Sequence, residues 1–219
     1  MGPPYIINLA LRLGVSWRVF DDLSARYDAW YERNAIIYED ELEAVRALGL
    51  RGLGVEVGVG TGRFAAPLGV PLGIDASERM LRTAALRGVE PVRALAEELP
   101  LRGSSVDYVL FVVTLCFLDD PLAALREAAR VTRPGGSIAA CVVPRDSPWG
   151  IYYMSRGGPF YSGAKFYTVD EVSSMMRSVG LAPSRISSTL SRGPLDPPAK
   201  EQPGGDPRAG FVCLSSRKP

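Results

Sequence analysis

From residue 53 onward the chain alternates short apolar runs with segments whose apolar residues recur at helical spacing. A short apolar run bounded by turn residues predicts a buried strand, and the segments between such runs predict helices. Strands that alternate with helices form crossover units, which are right-handed and build a parallel sheet covered on both faces. The pattern therefore predicts an α/β domain with a doubly wound, mostly parallel sheet.

The predicted strands number seven. They span 53–57, 70–74, 91–95, 106–113, 137–143, 182–190 and 211–215, and the predicted helices span 63–68, 78–87, 121–131 and 169–179. Upstream, residues 16–48 show helical spacing, which predicts one or two amphipathic helices as an N-terminal cap. The aromatic, Gly- and Pro-rich stretch 144–166 is too long for an ordinary connection, so we interpret it as a lid or substrate loop. The polar segment 191–208 is predicted to be a mobile surface loop.

Composition limits the partners and the chemistry. Lys plus Arg total 25 and Asp plus Glu total 24, so the formal net charge of +1 gives no basic excess for a nucleic-acid backbone. Dedicated nucleic-acid binding is disfavoured, although a structured RNA substrate stays open. Histidine is absent, which excludes Ser/His or Cys/His catalysis and His-ligated zinc. No apolar run of about 18 residues exists, since Asn8, Arg12 and Gly14 interrupt Ile6–Val15. We therefore expect a cytoplasmic protein without a membrane span.

Two further features of the composition concern stability and redox state. The three cysteines, Cys116, Cys141 and Cys213, are widely spaced, form no CxxC pair and lie in apolar runs, which predicts reduced thiols in the core. The chain has 22 Arg against 3 Lys, with two Asn and one Gln. Because amides are thermolabile, this balance fits a thermophilic source, and it fits a GC-rich genome equally well.

The most informative segment is a glycine cluster at Gly54–Arg63, where the first predicted strand ends and the first helix begins. Glycines at such a turn allow the backbone to approach a ligand closely. A dinucleotide fingerprint that starts at Gly58 would need a third glycine at position 63, which is arginine. A P-loop would need a lysine after the glycines, and none follows. The spacing therefore disfavours both NAD and ATP phosphates.

The motif Glu56-x-Gly58-x-Gly60-Thr-Gly62 resembles the first motif of class I S-adenosylmethionine (SAM) dependent methyltransferases. The chain is similar to the type 11 group, which includes ubiquinone/menaquinone C-methyltransferases. Further segments fit this family in order, namely Tyr27–Tyr31, Gly73–Leu81, Ala96–Pro100, Asp120–Val131, Pro134–Gly136 and Gly210–Val212. The resemblance implies a Rossmann-like seven-stranded fold, with SAM as cofactor and S-adenosylhomocysteine as product.

The resemblance also implies roles for single residues. Asp75 is implied to accept hydrogen bonds from the ribose hydroxyls, since two hydroxyl donors suit one carboxylate. Leu95 stands where many relatives carry Asp, so Met80 and the backbone of Ala96 and Glu97 are implied to hold the adenine. The implied cofactor-binding residues are Tyr27, Glu56, Gly58, Gly60, Thr61, Gly62, Asp75, Ala76, Met80, Ala96, Glu97 and Thr114.

Residues that would bind the methyl acceptor are less defined by the sequence. The candidates are Tyr31, Cys116, Tyr161 and Lys165. Cys116 follows the fourth strand, near the expected methyl position, although a buried thiol is more often core filler. Tyr27, Tyr31, Asn34 and Tyr38 share one predicted helix face. This face packs on the sheet, and its first two tyrosines could also close over cofactor and substrate.

Aromatic and polar residues of the 144–167 stretch and its surroundings add to these candidates. Six rings could wall a substrate pocket or anchor the lid, and they are Tyr152, Tyr153, Phe160, Tyr161, Phe166 and Tyr167. SAM carries its own leaving group, so a histidine base is not required. Polar groups that could take a proton are Asp119, Asp146, Tyr161 and Lys165. Position alone does not select one of them.

The implied organisation is one methyltransferase domain over residues 1–219. Its parts are a helical cap (1–50), a cofactor-binding half (51–143), a lid or substrate loop (144–167) and a C-terminal helix with strands (168–219). Three helix caps are also predicted, at Ser77, at Asp120 before Pro121, and as a capping box of Thr168 with Glu171.

The first functional hypothesis is methylation of a small molecule by in-line displacement. The alternatives are methylation of a protein or a structured RNA, and a catalytically silent SAM-binding protein. The acceptor atom and the oligomeric state are not predicted by the sequence.

Overall fold

A computed structural model describes residues 17–219, and residues 1–16 of the predicted cap, with the Ile6–Val15 stretch, lie outside the described residues. Its sheet has seven strands in the order β3-β2-β1-β4-β5-β7-β6. The strands are β1 (Gly54–Val57), β2 (Leu72–Asp75), β3 (Glu90–Arg93), β4 (Val106–Val112), β5 (Thr132–Val142), β6 (Pro183–Thr189) and β7 (Phe211–Arg217). Strands β1 to β5 pair in parallel, and β7 runs antiparallel to β5 and β6. The predicted doubly wound, mostly parallel sheet is confirmed.

Helices cover both faces of this sheet. In the described part of the chain they are α1 (Arg18–Asp22), α2 (Ser24–Arg33), α3 (Ala35–Arg46), α4 (Ala65–Leu68), α5 (Glu78–Leu86), α6 (Pro121–Val131), α7 (Pro148–Arg156) and α8 (Val169–Ser178). A 3₁₀ turn at Leu115–Phe117 follows β4. One core contains residues of α2, α3, α5 and α7, and the other contains residues of α6 and α8. Alternate residues of β4 belong to opposite cores, as the period of a strand requires.

The N-terminal cap has three helices where one or two were expected. The break between α2 and α3 falls at Asn34, whose backbone leaves the helical region. Its side-chain amide donates to the carbonyl of Trp30 at 2.8 Å. Asn competes with the helix ladder in this way through its own side chain.

The three predicted helix caps are confirmed. Ser77 Oγ accepts from the backbone N–H of Met80 at the start of α5, and Asp120 accepts from Ala123 at the start of α6. Thr168 and Glu171 form the reciprocal capping box of α8. Each cap satisfies backbone donors that the first helical turn leaves free.

The prediction that all three cysteines are reduced is wrong for one pair. Cys141 of β5 and Cys213 of β7 lie directly opposite each other in the antiparallel ladder and form a disulfide bond. The sequence separation of 72 hid this pairing, because spacing along the chain does not show which strands become neighbours. Cys116 is a free, buried thiol.

One segment that was interpreted as a lid or substrate loop contains a helix. The 144–167 stretch contains helix α7, whose start is capped by Ser147 Oγ accepting from the Gly150 N–H at 3.0 Å. In the 191–208 segment, which is predicted to be a mobile surface loop, Lys200 pairs with Glu39 of α3 at 2.6 Å. No helix within residues 17–219 is long and apolar enough to cross a membrane.

Candidate functional site

A cavity of about 330 Å³ opens at the carboxyl ends of β1, β2 and β4. This edge is where the strand order reverses, since β1 has β2 on one side and β4 on the other. Ligands of open α/β sheets bind at such a switch point, and the volume lies within the range of small-molecule sites. The cavity is therefore the candidate site. Nine of the twelve predicted cofactor-binding residues line it, namely Tyr27, Gly58, Gly60, Asp75, Ala76, Met80, Ala96, Glu97 and Thr114.

The floor of the cavity is the glycine turn after β1. Gly58 and Gly60 have φ values of 72° and 53°, in the left-handed region that favours glycine. A Cβ on Gly58 would lie 2.2 Å from Thr114 Cγ2, so no side chain fits there. The turn thus brings bare backbone to the cavity surface.

Asp75, at the end of β2, holds this turn in place. Its carboxylate accepts from the backbone N–H of Gly60 at 2.9 Å and of Ser77 at 2.8 Å. Burial raises the pKa of Asp75, and the backbone donors of these two residues and of Ala76 oppose that rise. The carboxylate is therefore fixed at the cavity edge with an orientation set by backbone.

Glu56, Thr61 and Gly62 do not line the cavity. They are buried within or next to the glycine turn and pack against the rest of the protein. Glu56 is 1% exposed, and its Oε2 has no hydrogen-bond partner among the described residues. Burial raises the pKa of this carboxyl well above its usual range. Gly62 packs so closely on α5 that an added Cβ would lie 3.1 Å from Ala84 Cα.

The other end of the cavity combines apolar side chains with acidic ones, since Glu97, Glu98, Asp119 and Asp120 also line it. Met80 of α5 and Leu95 line it, together with the backbone-rich segment from Ala94 to Glu98 and with Leu118. Met80 is 1% exposed to solvent, so its thioether packs as part of the core beside the cavity. A flat apolar group fits between such walls.

Val113 takes an unusual backbone conformation beside the cavity. Its φ of 50° lies in the left-handed region, where a β-branched residue is a genuine outlier. Its N–H still donates to the Cys141 carbonyl at 2.9 Å. Strain of this kind concentrates at functional sites, where the surrounding structure maintains it. Here it turns the chain after β4 so that Thr114 contacts the glycine turn.

Aromatic rings form a roof over the cavity. Phe20 of α1 packs edge-on against Phe117 at 4.7 Å between centroids and lies 5.4 Å from Phe160 of the 144–167 stretch. Tyr27 packs against both Phe20 and Phe160. We call these four residues, Phe20, Tyr27, Phe117 and Phe160, the aromatic roof. It joins the cap to the 144–167 stretch beside the cavity, which Phe20, Tyr27 and Phe117 line.

A partly buried ion-pair cluster, which sequence reasoning missed, joins the cap to the glycine turn. Asp28 of α2 accepts from Thr61 Oγ1 at 2.6 Å and pairs with Arg63 at 2.7 Å and Arg87 at 2.8 Å. These donors hold the pKa of Asp28 well below its usual range. We call Asp28, Arg63 and Arg87 the cap latch. In the sequence, Arg63 occupies the position where a dinucleotide motif would have glycine. This unusual arginine was the one feature that could have indicated an ion pair at the turn.

The four predicted acceptor-binding residues lie outside the cavity lining. Tyr31 is buried, with its hydroxyl 2.7 Å from that of Tyr27. Tyr161 stacks on Tyr153 at 4.8 Å. Lys165 is exposed, and its backbone N–H donates to the Cys116 carbonyl at 2.7 Å.

The predicted proton acceptors are equally dispersed. Asp119 lines the cavity and is exposed, whereas Asp146 is exposed just before α7.

Burial raises the pKa of Cys116 to about 12, so this thiol is protonated at neutral pH. Its Sγ lies 3.5 Å from the Val113 carbonyl, as expected for a packed core thiol.

Comparisons with known proteins show which family the chain resembles. Residues 55–140 match a family model described as a methyltransferase domain. A crystal structure from Thermotoga maritima, described as a SAM-dependent methyltransferase, possible histamine N-methyltransferase, is 37% identical with a TM-score of 0.90. The match covers 93% of this chain and 100% of that chain.

Two curated proteins extend the comparison. An uncharacterized protein of Methanocaldococcus jannaschii is 35% identical over 203 residues, which are 91% of this chain and 98% of the relative. The demethylmenaquinone methyltransferase of Staphylococcus aureus is 34% identical over 140 residues, which are 55% of this chain and 57% of the relative. Together with the glycine turn, the fold and the cavity, these matches show that the chain belongs to the SAM-dependent methyltransferases.

Proposed function

We propose that this methyltransferase acts on a small molecule, with the cofactor in the cavity at the glycine turn. The observation that carries the proposal is the aromatic roof, three of whose rings, Phe20, Tyr27 and Phe117, line the cavity. When bound, SAM supplies a methyl group on a sulfonium that leaves as a neutral thioether. The protein therefore has to bind, align and exclude water.

The residues present fit this cofactor. Asp75 offers a fixed carboxylate acceptor for hydroxyl groups, and the turn at Gly58 and Gly60 leaves room for a ligand against backbone. The Met80 and Leu95 end is an apolar slot for a flat base. Glu56 Oε2 and the Trp17 indole N–H are buried polar atoms without partners in the described chain. We propose that the nine predicted cofactor-binding residues that line the cavity hold SAM, and that Glu56, Thr61 and Gly62 fix the turn that carries them.

A small acceptor is favoured over a protein or an RNA because packed aromatic rings line one side of the cavity. Phe160 reaches from the 144–167 stretch to Phe20 and Tyr27 of the cap, so a macromolecular side group would have to displace these contacts. The net charge is close to zero, so the protein does not attract a polyanion such as RNA electrostatically over a distance. The description of the Thermotoga protein names a small amine for that protein. We extend only the class, a small molecule, to this chain.

Calorimetric titration with SAM and with S-adenosylhomocysteine tests the cofactor site. We expect one-site binding of both ligands to the wild type, and loss or strong weakening in Asp75→Ala and Gly60→Val. Asp146→Ala, which removes an exposed carboxylate outside the cavity, is the matched control and should bind normally. Absence of binding to the folded wild type would refute the proposed site.

Methyl transfer from labelled SAM tests the acceptor class. Label in a small-molecule fraction supports the proposal, whereas label only in protein or RNA fractions contradicts it. Cofactor binding without transfer to any fraction would favour a silent SAM-binding protein. The cytoplasmic location and the thermophilic source stay predictions from composition.

A further inference from the structure

Trp17, which directly precedes α1, has a buried indole N–H without a hydrogen-bond partner among residues 17–219. An indole N–H can only donate, and a buried donor without a partner is both rare and costly. Four buried side-chain polar atoms of the described chain lack a partner, and they belong to Trp17, Glu56, Ser187 and Thr189. Of these four residues, Trp17 is the one that lines the cavity. Its N–H is therefore available to a molecule bound there.

Arg93, the last residue of β3, places the Trp17 ring beside the turn that follows β2. The guanidinium carbon of Arg93 lies 5.9 Å from the centre of the Trp17 ring, which is close enough for a cation–π contact. Arg93 Nε also donates to the carbonyl of Ala76 at 3.1 Å. Ala76 follows Asp75 in the chain, and both residues line the cavity. Trp17 thus lies on the side of the cavity where Asp75 is proposed to accept from hydroxyl groups.

Asp21 of α1 fastens this short helix to the start of α5. Its Oδ1 accepts from Ser77 Oγ at 2.7 Å and from the backbone N–H of Arg79 at 3.0 Å. The backbone N–H of the same Ser77 donates to Asp75 at 2.8 Å. Hydrogen bonds to a carboxylate are stronger than those between neutral groups. Asp21 therefore fixes α1, and with it Trp17, relative to Asp75.

We propose that Trp17 is a further cofactor-binding residue, whose indole N–H donates to the nucleoside part of SAM, and that Asp21 is its positioning residue. The inference rests on the proposed function, which gives the cavity to this cofactor. A nucleoside carries ribose oxygens and ring nitrogens that accept hydrogen bonds, whereas a sulfonium accepts none. Trp17 contacts the cavity from the Asp75 side, which is the side proposed for the ribose.

Calorimetric titration with two probes tests this hydrogen bond. The probes are S-adenosylhomocysteine and 5′-methylthioadenosine, which keeps the nucleoside and the sulfur but lacks the amino acid group. We expect Trp17→Phe to bind both probes about three- to tenfold more weakly than the wild type, which is the size of one net hydrogen bond. Unchanged affinity for both probes, or a loss confined to S-adenosylhomocysteine, would overturn the proposal.

Trp30→Phe is the matched control for this substitution. Trp30 is half-buried like Trp17, but it lies outside the cavity lining. Its replacement should leave the affinity for both probes unchanged. Phe keeps an aromatic ring below the Arg93 guanidinium at position 17, so we expect the Trp17→Phe chain to fold, and thermal melting of both variants checks this.

Tryptophan fluorescence gives a second measurement that needs no turnover. The chain has three tryptophans, Trp17, Trp30 and Trp149. A ligand bound to the Trp17 N–H alters the surroundings of that ring, so S-adenosylhomocysteine should change the emission of the wild type and of Trp30→Phe. The change should be lost in Trp17→Phe. A wild type that binds the probe by calorimetry without a change in emission would contradict the contact, as would a Trp17→Phe chain that keeps the change.

Asp21→Ala tests the positioning role. We expect this variant to bind S-adenosylhomocysteine about three- to tenfold more weakly, because α1 loses its hydrogen bonds to α5. Asp22→Ala, at the exposed neighbouring position, is the control and should bind normally. In a Trp17→Phe chain the Asp21→Ala change should cost less than about twofold, since the contact that Asp21 positions is already absent. Equal losses in both backgrounds would show that Asp21 does not act through Trp17.

The titrations separate this inference from the broader proposal. If the wild type binds neither SAM nor S-adenosylhomocysteine, the cofactor site itself is wrong. If the wild type binds both and Trp17→Phe binds them equally well, the cofactor site stands and only the role of Trp17 is wrong.

Discussion

At the residue scale, Glu41 links proton binding to folding. Burial and Asp40 raise the pKa of its carboxyl from 4.5 to about 8 in the folded state. Between these values the folded chain holds a proton that the unfolded chain has released, so the free energy of unfolding falls as the pH rises. The contribution is fully present below pH 4.5 and is lost through pH 8.

Glu41→Gln should remove this dependence. We expect the free energy of unfolding of the wild type to fall between pH 5 and pH 8 by a few kcal/mol more than that of the variant, since each pKa unit corresponds to about 1.4 kcal/mol. Denaturant unfolding of both proteins at the two pH values measures the difference. The comparison cancels the parallel contributions of Glu56 and Asp75, whose pKa values are also raised by burial. Identical slopes in the two proteins would show that Glu41 is not buried as described.

Gly58 is the residue at which the glycine turn tolerates least change. We expect Gly58→Ala to lower the free energy of unfolding by about 1–3 kcal/mol and to abolish cofactor binding, because its Cβ would overlap Thr114 at a φ of 72°. Gly69→Ala is the control for the cost of placing alanine at a positive φ without a steric overlap. It has a similar φ of 70° with no atom within 4 Å of an added Cβ, so it should be milder. Chemical denaturation and calorimetry measure both effects, and equal losses in the two variants would contradict the steric argument.

Single residues also mark the limit of sequence interpretation. The glycines and Asp75 were predictable because each lies directly at the end of a predicted strand, within a short motif that can be seen in the local sequence. The partners of Asp28 lie 35 and 59 positions away, and nothing in its local pattern distinguishes it from a solvated acid. Glu41 likewise occurs in a run of acidic residues, and only the packing of α3 separates its buried side from its exposed side.

At the element scale, the cap latch joins α2 to the loop that forms the site. Asp28→Ala would leave Arg63 and Arg87 largely buried without their carboxylate. We expect a loss of about 1–3 kcal/mol in stability and weaker cofactor binding, because α2 would no longer hold Tyr27 over Gly60. Glu32→Ala removes a partner of the same Arg63, but its side chain is 71% exposed, so it should have little effect. Urea unfolding and SAM titration of both variants distinguish these outcomes.

Helix α7 shows why one element was missed. The Gly- and Pro-rich character of residues 144–166 suggested a loop, yet Ser147 followed by Pro148 is a strong helix start, with a capping hydroxyl and Pro at the first helical position. Trp149 and Gly150 then pack as the buried side of a helix. The strands were easier to predict, because a fully buried strand of a parallel sheet is an uninterrupted apolar run.

At the scale of the whole molecule, the disulfide ties the antiparallel end of the sheet to its centre. Cys141–Cys213 closes a separation of 72 residues, for which chain entropy predicts about 4 kcal/mol of stabilisation. We expect Cys213→Ala, or the reduced protein, to unfold at lower denaturant concentration. Alkylation after unfolding without reductant should label one cysteine, Cys116, and three after reduction. Three labelled cysteines without reductant would refute the bond.

The aromatic roof has a consequence for the timing of the catalytic cycle. Its contacts run between the cap and the 144–167 stretch, and we expect these parts to separate when the cofactor enters and again when the thioether product leaves. Opening such a cover is commonly slower than bond making inside it. We therefore expect a rapid burst in the first turnover, about one methylated product per protein molecule, followed by a slower steady rate. Rapid-quench measurements would show it, and Phe160→Ala should raise the steady rate relative to the burst.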